Sequence, residues 1–168
     1  AWNSQKELPK IFDVDDVLSV FRADKIGDEF GEQYIIFGKG DEYQKLDAIK
    51  ATNAALVVPI DFPKPYDVED PFAAKNVTLE QMKHWELAPA NLKMLSEAGV
   101  PFAITSYGME DDKNFLPNLR KAVKYGLSKQ AALASLTEQP AALLQLKDVG
   151  TLQPGMVANF LITTDDIF

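Results

Sequence analysis

Four short runs of β-branched and aromatic residues, each followed by a longer segment with apolar residues at helical spacing, constrain this chain more than any other feature. Such alternation predicts a parallel sheet, because parallel neighbours must be joined by crossovers that are usually helices. The runs are residues 10–14, 33–37, 55–60 and 100–106; the second is apolar throughout, as in a strand covered on both faces. After the first run, Val17, Leu18, Phe21 and Ile26 are expected on one helix face, with Asp15 or Asp16 as N-cap and Gly31 past the end. A second helix is expected over residues 41–51, burying Tyr43, Leu46 and Ile49. Prolines and acids make residues 61–77 a long surface loop. Thr78 then opens a helix that Pro89 interrupts and residues 91–98 resume, ending at Gly99. Helices over 112–125, 128–136 and 139–146 follow, and a closing strand is expected over 156–164 after the Gln153-Pro154-Gly155 turn.

The fold class is therefore α/β, with about four parallel strand-helix units and a C-terminal strand. At 168 residues with 46% hydrophobic content the chain is read as one domain, 1–168, large enough to bury a core. Seventeen basic against 25 acidic residues give a net charge of −8, which repels phosphate backbones and anionic lipid and argues against nucleic acid and membrane surfaces as partners. The start, Ala1-Trp2-Asn3-Ser4, lacks a basic-then-apolar signal pattern, and without a leading Met the chain is expected to be a piece of a longer one. There is no cysteine, which removes disulfides, thiolate metal sites and thiol nucleophiles and is compatible with the cytoplasm or an exported compartment.

The sharpest local motif is Asp13-Val14-Asp15, at the C-terminal end of the first strand, where α/β proteins bind ligands. A hydrophobic strand, Asp-x-Asp and an aliphatic pair resemble the first motif of haloacid dehalogenase-like phosphatases. That resemblance implies Asp13 as nucleophile, Asp15 as acid and base, Ser106 holding phosphate, Lys147 balancing charge, and Asp165 with Asp166 on Mg²⁺. The plainer reading is that Asp15 or Asp16 caps a helix. Gly38-Lys39-Gly40, between a strand and a helix, could receive an anion on its backbone N–H groups, though it lacks the spacing of a P-loop. His84 is the only histidine and lies mid-helix beside Trp85, so it reads as a packed helix residue; a zinc site needs more nitrogen donors than one. The acids of Asp61, Asp67, Glu69 and Asp70 lack EF-hand order and read as a solvated loop. A third possibility is a small-molecule binding module at the strand ends with the 61–77 loop as lid.

The last third of the chain carries a longer signal. Ala131-Ala132-Leu133-Ala134-Ser135-Leu136-Thr137 leads into Pro140-Ala141-Ala142-Leu143-Leu144 and then Gly150-Thr151-Leu152-Gln153-Pro154-Gly155-Met156-Val157-Ala158-Asn159-Phe160-Leu161-Ile162. This run resembles the end of the catalytic barrel in the amidohydrolase superfamily, especially its imidazolonepropionase-like branch. The resemblance implies half of a TIM-type β/α barrel, whose complete form hydrolyses amide or cyclic amide C–N bonds with zinc or another divalent metal at the strand ends. It also implies a metal-binding His at the end of the strand closing on Asp13, another at Gly38, and an Asp where Ser106 or Tyr107 stands. These departures imply that this chain holds no metal of its own and acts as a scaffold or interaction domain, a pseudoenzyme. Its partners are then the remainder of a longer parent chain and, through exposed strand edges, further copies of itself.

Overall fold

The four strands predicted for the parallel sheet form, each shorter than its apolar run. A computed structural model describes residue 5 and residues 7–168, so the Ala1–Ser4 start lies outside the described residues. The strands are β1 (Ile11–Asp13), β2 (Ile35–Phe37), β3 (Leu56–Pro59) and β4 (Phe102–Thr105). They pair in the order β1-β2-β3-β4, every neighbour parallel. The register sets Asp13 opposite Phe37, Phe37 opposite Val57, and Val57 opposite Ala103. Successive side chains alternate faces, so one face carries Phe12, Ile36, Leu56, Val58, Phe102 and Ile104, and the other carries Ile11, Asp13, Phe37, Val57, Ala103 and Thr105. The first set packs into the main core with the helices. Ile11, on the second face, is 53% exposed. The result is an α/β layer with the strand order of a partial TIM-type barrel, and among the described residues β1 and β4 pair on one side only.

Helix α1 (Val17–Phe30) begins where Asp16 accepts a hydrogen bond from the Ser19 N–H at 2.7 Å and ends at Gly31, whose φ of 65° only a residue tolerant of the left-handed region adopts at ease. Asp16 is thus the cap, and its contact with the Ser19 amide holds its carboxyl below the usual range. The buried stripe is Val17, Val20, Ala23 and Gly27, while Leu18 and Ile26 are exposed. The expected stripe was rotated because small residues allow the closest approach: a Cβ on Gly27 would sit 2.4 Å from the Glu32 carbonyl oxygen.

The segment expected as one helix over 41–51 is a 310 turn, Glu42–Lys45, followed by α2 (Leu46–Ala51). Of the three residues expected inside, Ile49 is fully buried, Tyr43 and Leu46 are half-buried, and Glu42 takes the interior place instead. Within residues 61–77 a single turn of helix, α3 (Pro71–Ala74), interrupts the loop. The capping box at Thr78 and Gln81 opens α4 (Leu79–Leu87), a 310 turn at Ala88–Ala90 accommodates Pro89, and α5 (Asn91–Ala98) stops at Gly99. Helices α6 (Phe115–Lys124), α7 (Lys129–Leu136) and α8 (Glu138–Leu143) complete the layer. The C-terminal end of α8 lies near the N-terminal ends of β1 and β2, where Ala142, Leu143 and Gln145 line one cleft with Lys10 and Ile35. Among the described residues, no helix is long and apolar enough to cross a membrane.

The closing strand expected over 156–164 does not form. Val157 N–H bonds to the Asp148 carbonyl and Asn159 N–H to Val157, so the chain makes local turns there. A strand is stable only beside another, and among the described residues no strand lies beside this one. Beyond it the chain is tied back by Arg120 Nε to the Ile167 carbonyl, by the Lys129–Asp166 ion pair, and by Phe168 against the core.

Leu92, on α5, is fully buried in the main cluster. Leu92→Ala is expected to lower unfolding free energy by about 2–5 kcal/mol, read from urea denaturation followed by circular dichroism.

Candidate functional site

Parallel strands bring their C-terminal ends to one rim, and here that rim carries Asp13, Phe37, Lys39, Thr105, Ser106 and Tyr107. Lys39 Nζ lies 2.9 Å from Asp13 Oδ1 and 5.3 Å from the centre of the Phe37 ring. Tyr107 meets Phe37 edge to face, ring centres 5.4 Å apart. Thr105 Oγ1 accepts a hydrogen bond from Tyr107 N–H at 3.1 Å, which fixes the start of the loop after β4. Half-buried Ser106 shares a cleft with Ile104, Thr105, Asp112 and Phe115. Asp13 and Ser106 therefore stand on one rim, at the ends of its two outer strands.

Gly38 does not share that surface. It follows Phe37, and a Cβ built on it would lie 1.9 Å from Glu42 Oε1, on the helix side. The register instead sets Phe37 opposite Asp13. Alternation therefore turns Gly38 toward Glu42 and leaves Phe37 as the β2 residue beside Asp13 on the open face.

Glu42 is the feature that sequence reasoning missed. Its Oε1 accepts from the N–H groups of Lys39 at 3.0 Å and Gly40 at 3.1 Å, and its Oε2 accepts from Asn91 Nδ2 at 2.5 Å. Asn91 Oδ1 in turn accepts from the Tyr43 N–H at 2.8 Å. Both Glu42 and Asn91 are buried. Burial pushes the Glu42 carboxyl up, and the hydrogen bonds from Asn91 and Gly40 oppose that rise. The Gly38-Lys39-Gly40 turn thus binds an anion as its N–H groups allow, and the anion is the chain's own carboxylate. A Gly-x-Gly turn with Glu two residues on was the available signal.

The other candidates lie apart. Asp15 is exposed beside the Asp16 cap. Lys147 is two residues after Gln145, which lines a cleft with Pro9 and Lys10 at the opposite end of the strands from Asp13. Asp165 Oδ1 accepts from Asp166 N–H, and Asp166 pairs with Lys129 on the helical layer. Asp13, Asp15, Ser106, Lys147 and Asp165 are not brought to one point. His84 Nδ1 lies 3.2 Å from the Tyr43 hydroxyl, with the two rings stacked 6.1 Å apart. In the acidic loop, Asp67 and Asp70 accept from nearby backbone N–H groups at Glu69 and Phe72.

The model of the amidohydrolase family matches residues 30–168. The chain belongs to the amidohydrolase family. Two adenine deaminases of Clostridium perfringens, from strains ATCC 13124 and 13, are each 32% identical to this amidohydrolase chain over 88 residues, 49% of its length and 16% and 15% of theirs. A solved amidohydrolase from Thermotoga maritima MSB8 superposes with a TM-score of 0.65 at 21% identity, covering 92% of this chain and 37% of that one. A second solved amidohydrolase gives 0.60 at 16% identity, covering 88% and 36%. The amidohydrolase chain therefore spans well under half the length of these relatives.

Family resemblance implies a divalent metal at the strand ends, and the side chains on this amidohydrolase rim do not fit one. Asp13 offers a carboxylate already paired with Lys39, Phe37 offers no donor, and the Ser106 hydroxyl is a poor zinc ligand. Among the described residues no three His, Asp or Glu side chains converge.

Glu42→Gln replaces an acceptor facing Asn91 Nδ2 with a donor, and is expected to destabilise the chain by about 1–3 kcal/mol. Because the folded chain holds the Glu42 proton to higher pH than the unfolded chain, this group's contribution is full below the ordinary glutamate range and declines as pH rises through the folded value. Urea midpoints taken across that pH range should therefore fall less steeply in Glu42→Gln than in the parent; equal slopes would remove Glu42 as the source.

Proposed function

We propose that this chain is a half-barrel domain of an amidohydrolase in the imidazolonepropionase-like branch, contributing structure and interaction surface rather than metal ligands or catalytic groups of its own. The observation that carries this reading is the rim itself: an Asp13–Lys39 ion pair and a Phe37 ring stand where strand-end chemistry would need a converging donor set. The Gly150-to-Ile162 run supports the branch assignment. Further strand-helix units of a longer parent would cover Ile11 and pair with β1 and β4, and any C–N hydrolysis, such as the deamination named for the Clostridium relatives, would depend on groups those units supply. The phosphatase reading draws no support from a site whose acids and lysine lie at opposite ends and on different layers.

Incubated with Zn²⁺ or Mn²⁺ and adenine or a cyclic imide, the purified chain is expected to show no turnover above buffer. Chelator-sensitive hydrolysis would overturn the assignment. Aryl phosphate with Mg²⁺ provides the second arm, and metal-dependent release lost in Asp13→Asn would favour the phosphatase instead. With β1 and β4 unpaired outward among the described residues and Phe160, Leu161 and Ile162 exposed, the isolated chain is expected to self-associate as concentration rises; a strictly monomeric sedimentation profile at high concentration would contradict this.

A further inference from the structure

We propose that Lys39 is the built-in cation of the strand-end rim: its ammonium takes the place beside Asp13 that a divalent ion would need, and Phe37 closes the position across from it. The inference rests on the proposed non-catalytic reading and adds the residues that close the site. Three observations carry it. Lys39 Nζ is within hydrogen-bond distance of Asp13 Oδ1, so the one carboxylate of that strand row already has its counter-charge. The same ammonium stands over the Phe37 ring, whose negative face favours a cation, and Tyr107 holds that ring edge to face. The backbone under Lys39 is fixed as well, because the buried Glu42 carboxylate accepts from the Lys39 and Gly40 N–H groups.

These pieces act together. A divalent ion approaching Asp13 meets a positive charge already on its ligand, and across the sheet it meets an aromatic ring with no lone pair. Glu42 serves as a positioning residue: it orders the turn from which Lys39 reaches back to β1. A missing histidine alone would leave an anionic strand end, whereas at this rim Lys39 supplies the counter-charge to Asp13.

The test uses the 168-residue chain with Zn²⁺ as probe in equilibrium dialysis, and Co²⁺ absorption as a report on nitrogen ligation. Four forms are compared: the parent, Lys39→Met, the double variant Phe37→His with Lys39→Met, and that double variant with Asp13→Asn. Lys39→Met is expected to bind Zn²⁺ more tightly than the parent. The double variant should gain about tenfold or more, the scale on which groups beside a metal ligand change affinity, and Asp13→Asn should remove that gain. A double variant that keeps its circular dichroism spectrum yet binds no tighter than the parent would overturn the proposal, as would a gain that survives Asp13→Asn. The two readings fail separately: turnover by the parent chain sinks the non-catalytic reading, and unchanged Zn²⁺ affinity in an inactive chain sinks this one.

Discussion

A single buried carboxylate organises the part of the molecule where function would lie. Glu42 gathers the N–H groups of Lys39 and Gly40 and the amide of Asn91, so it joins the turn after β2 to the start of α5. Leaving any of these donors unpaired inside the protein would cost more than the bond contributes when made, so the arrangement is held as a unit. Asp41, next in sequence, accepts from the Val17 N–H at the start of α1. The two adjacent acids therefore set the spacing of two helices against the sheet, and the glycine at position 38 follows from the same crowding.

The fold was legible because its determinants are periodic. Apolar runs at strand length, Gly31 and Gly99 at helix ends and the Thr78 capping box are local signals that tertiary contacts reinforced. Where the sequence misled, the deciding partner lay far along the chain. Glu42 is interior because Asn91, 49 residues away, answers its charge, and a helical pattern taken alone assigns a glutamate to solvent. The run from Met156 to Thr164 has strand composition, yet composition cannot supply a neighbouring strand.

At the rim, the sequence shows where the strands end and leaves open which face each end residue takes. Asp13 and Ser106 were located by the apolar runs they terminate, but whether Phe37 or Gly38 stands beside Asp13 on the open face is not a local property. Only the parallel register with β1 decides that. Lys39 was visible merely as part of a glycine-flanked turn; its reach back to Asp13 is a contact across 26 residues that no spacing rule anticipates.

The segment between the Asp148 and Arg120 tethers has a consequence for what the chain can contact. Phe160, Leu161 and Ile162, at 61, 78 and 82% exposure, form an exposed apolar stretch between two points where the chain is tied down. An apolar run left in solvent in the folded state is a contact surface that needs no unfolding to be reached. Covering that stretch would remove apolar area from water without any change in the sheet behind it.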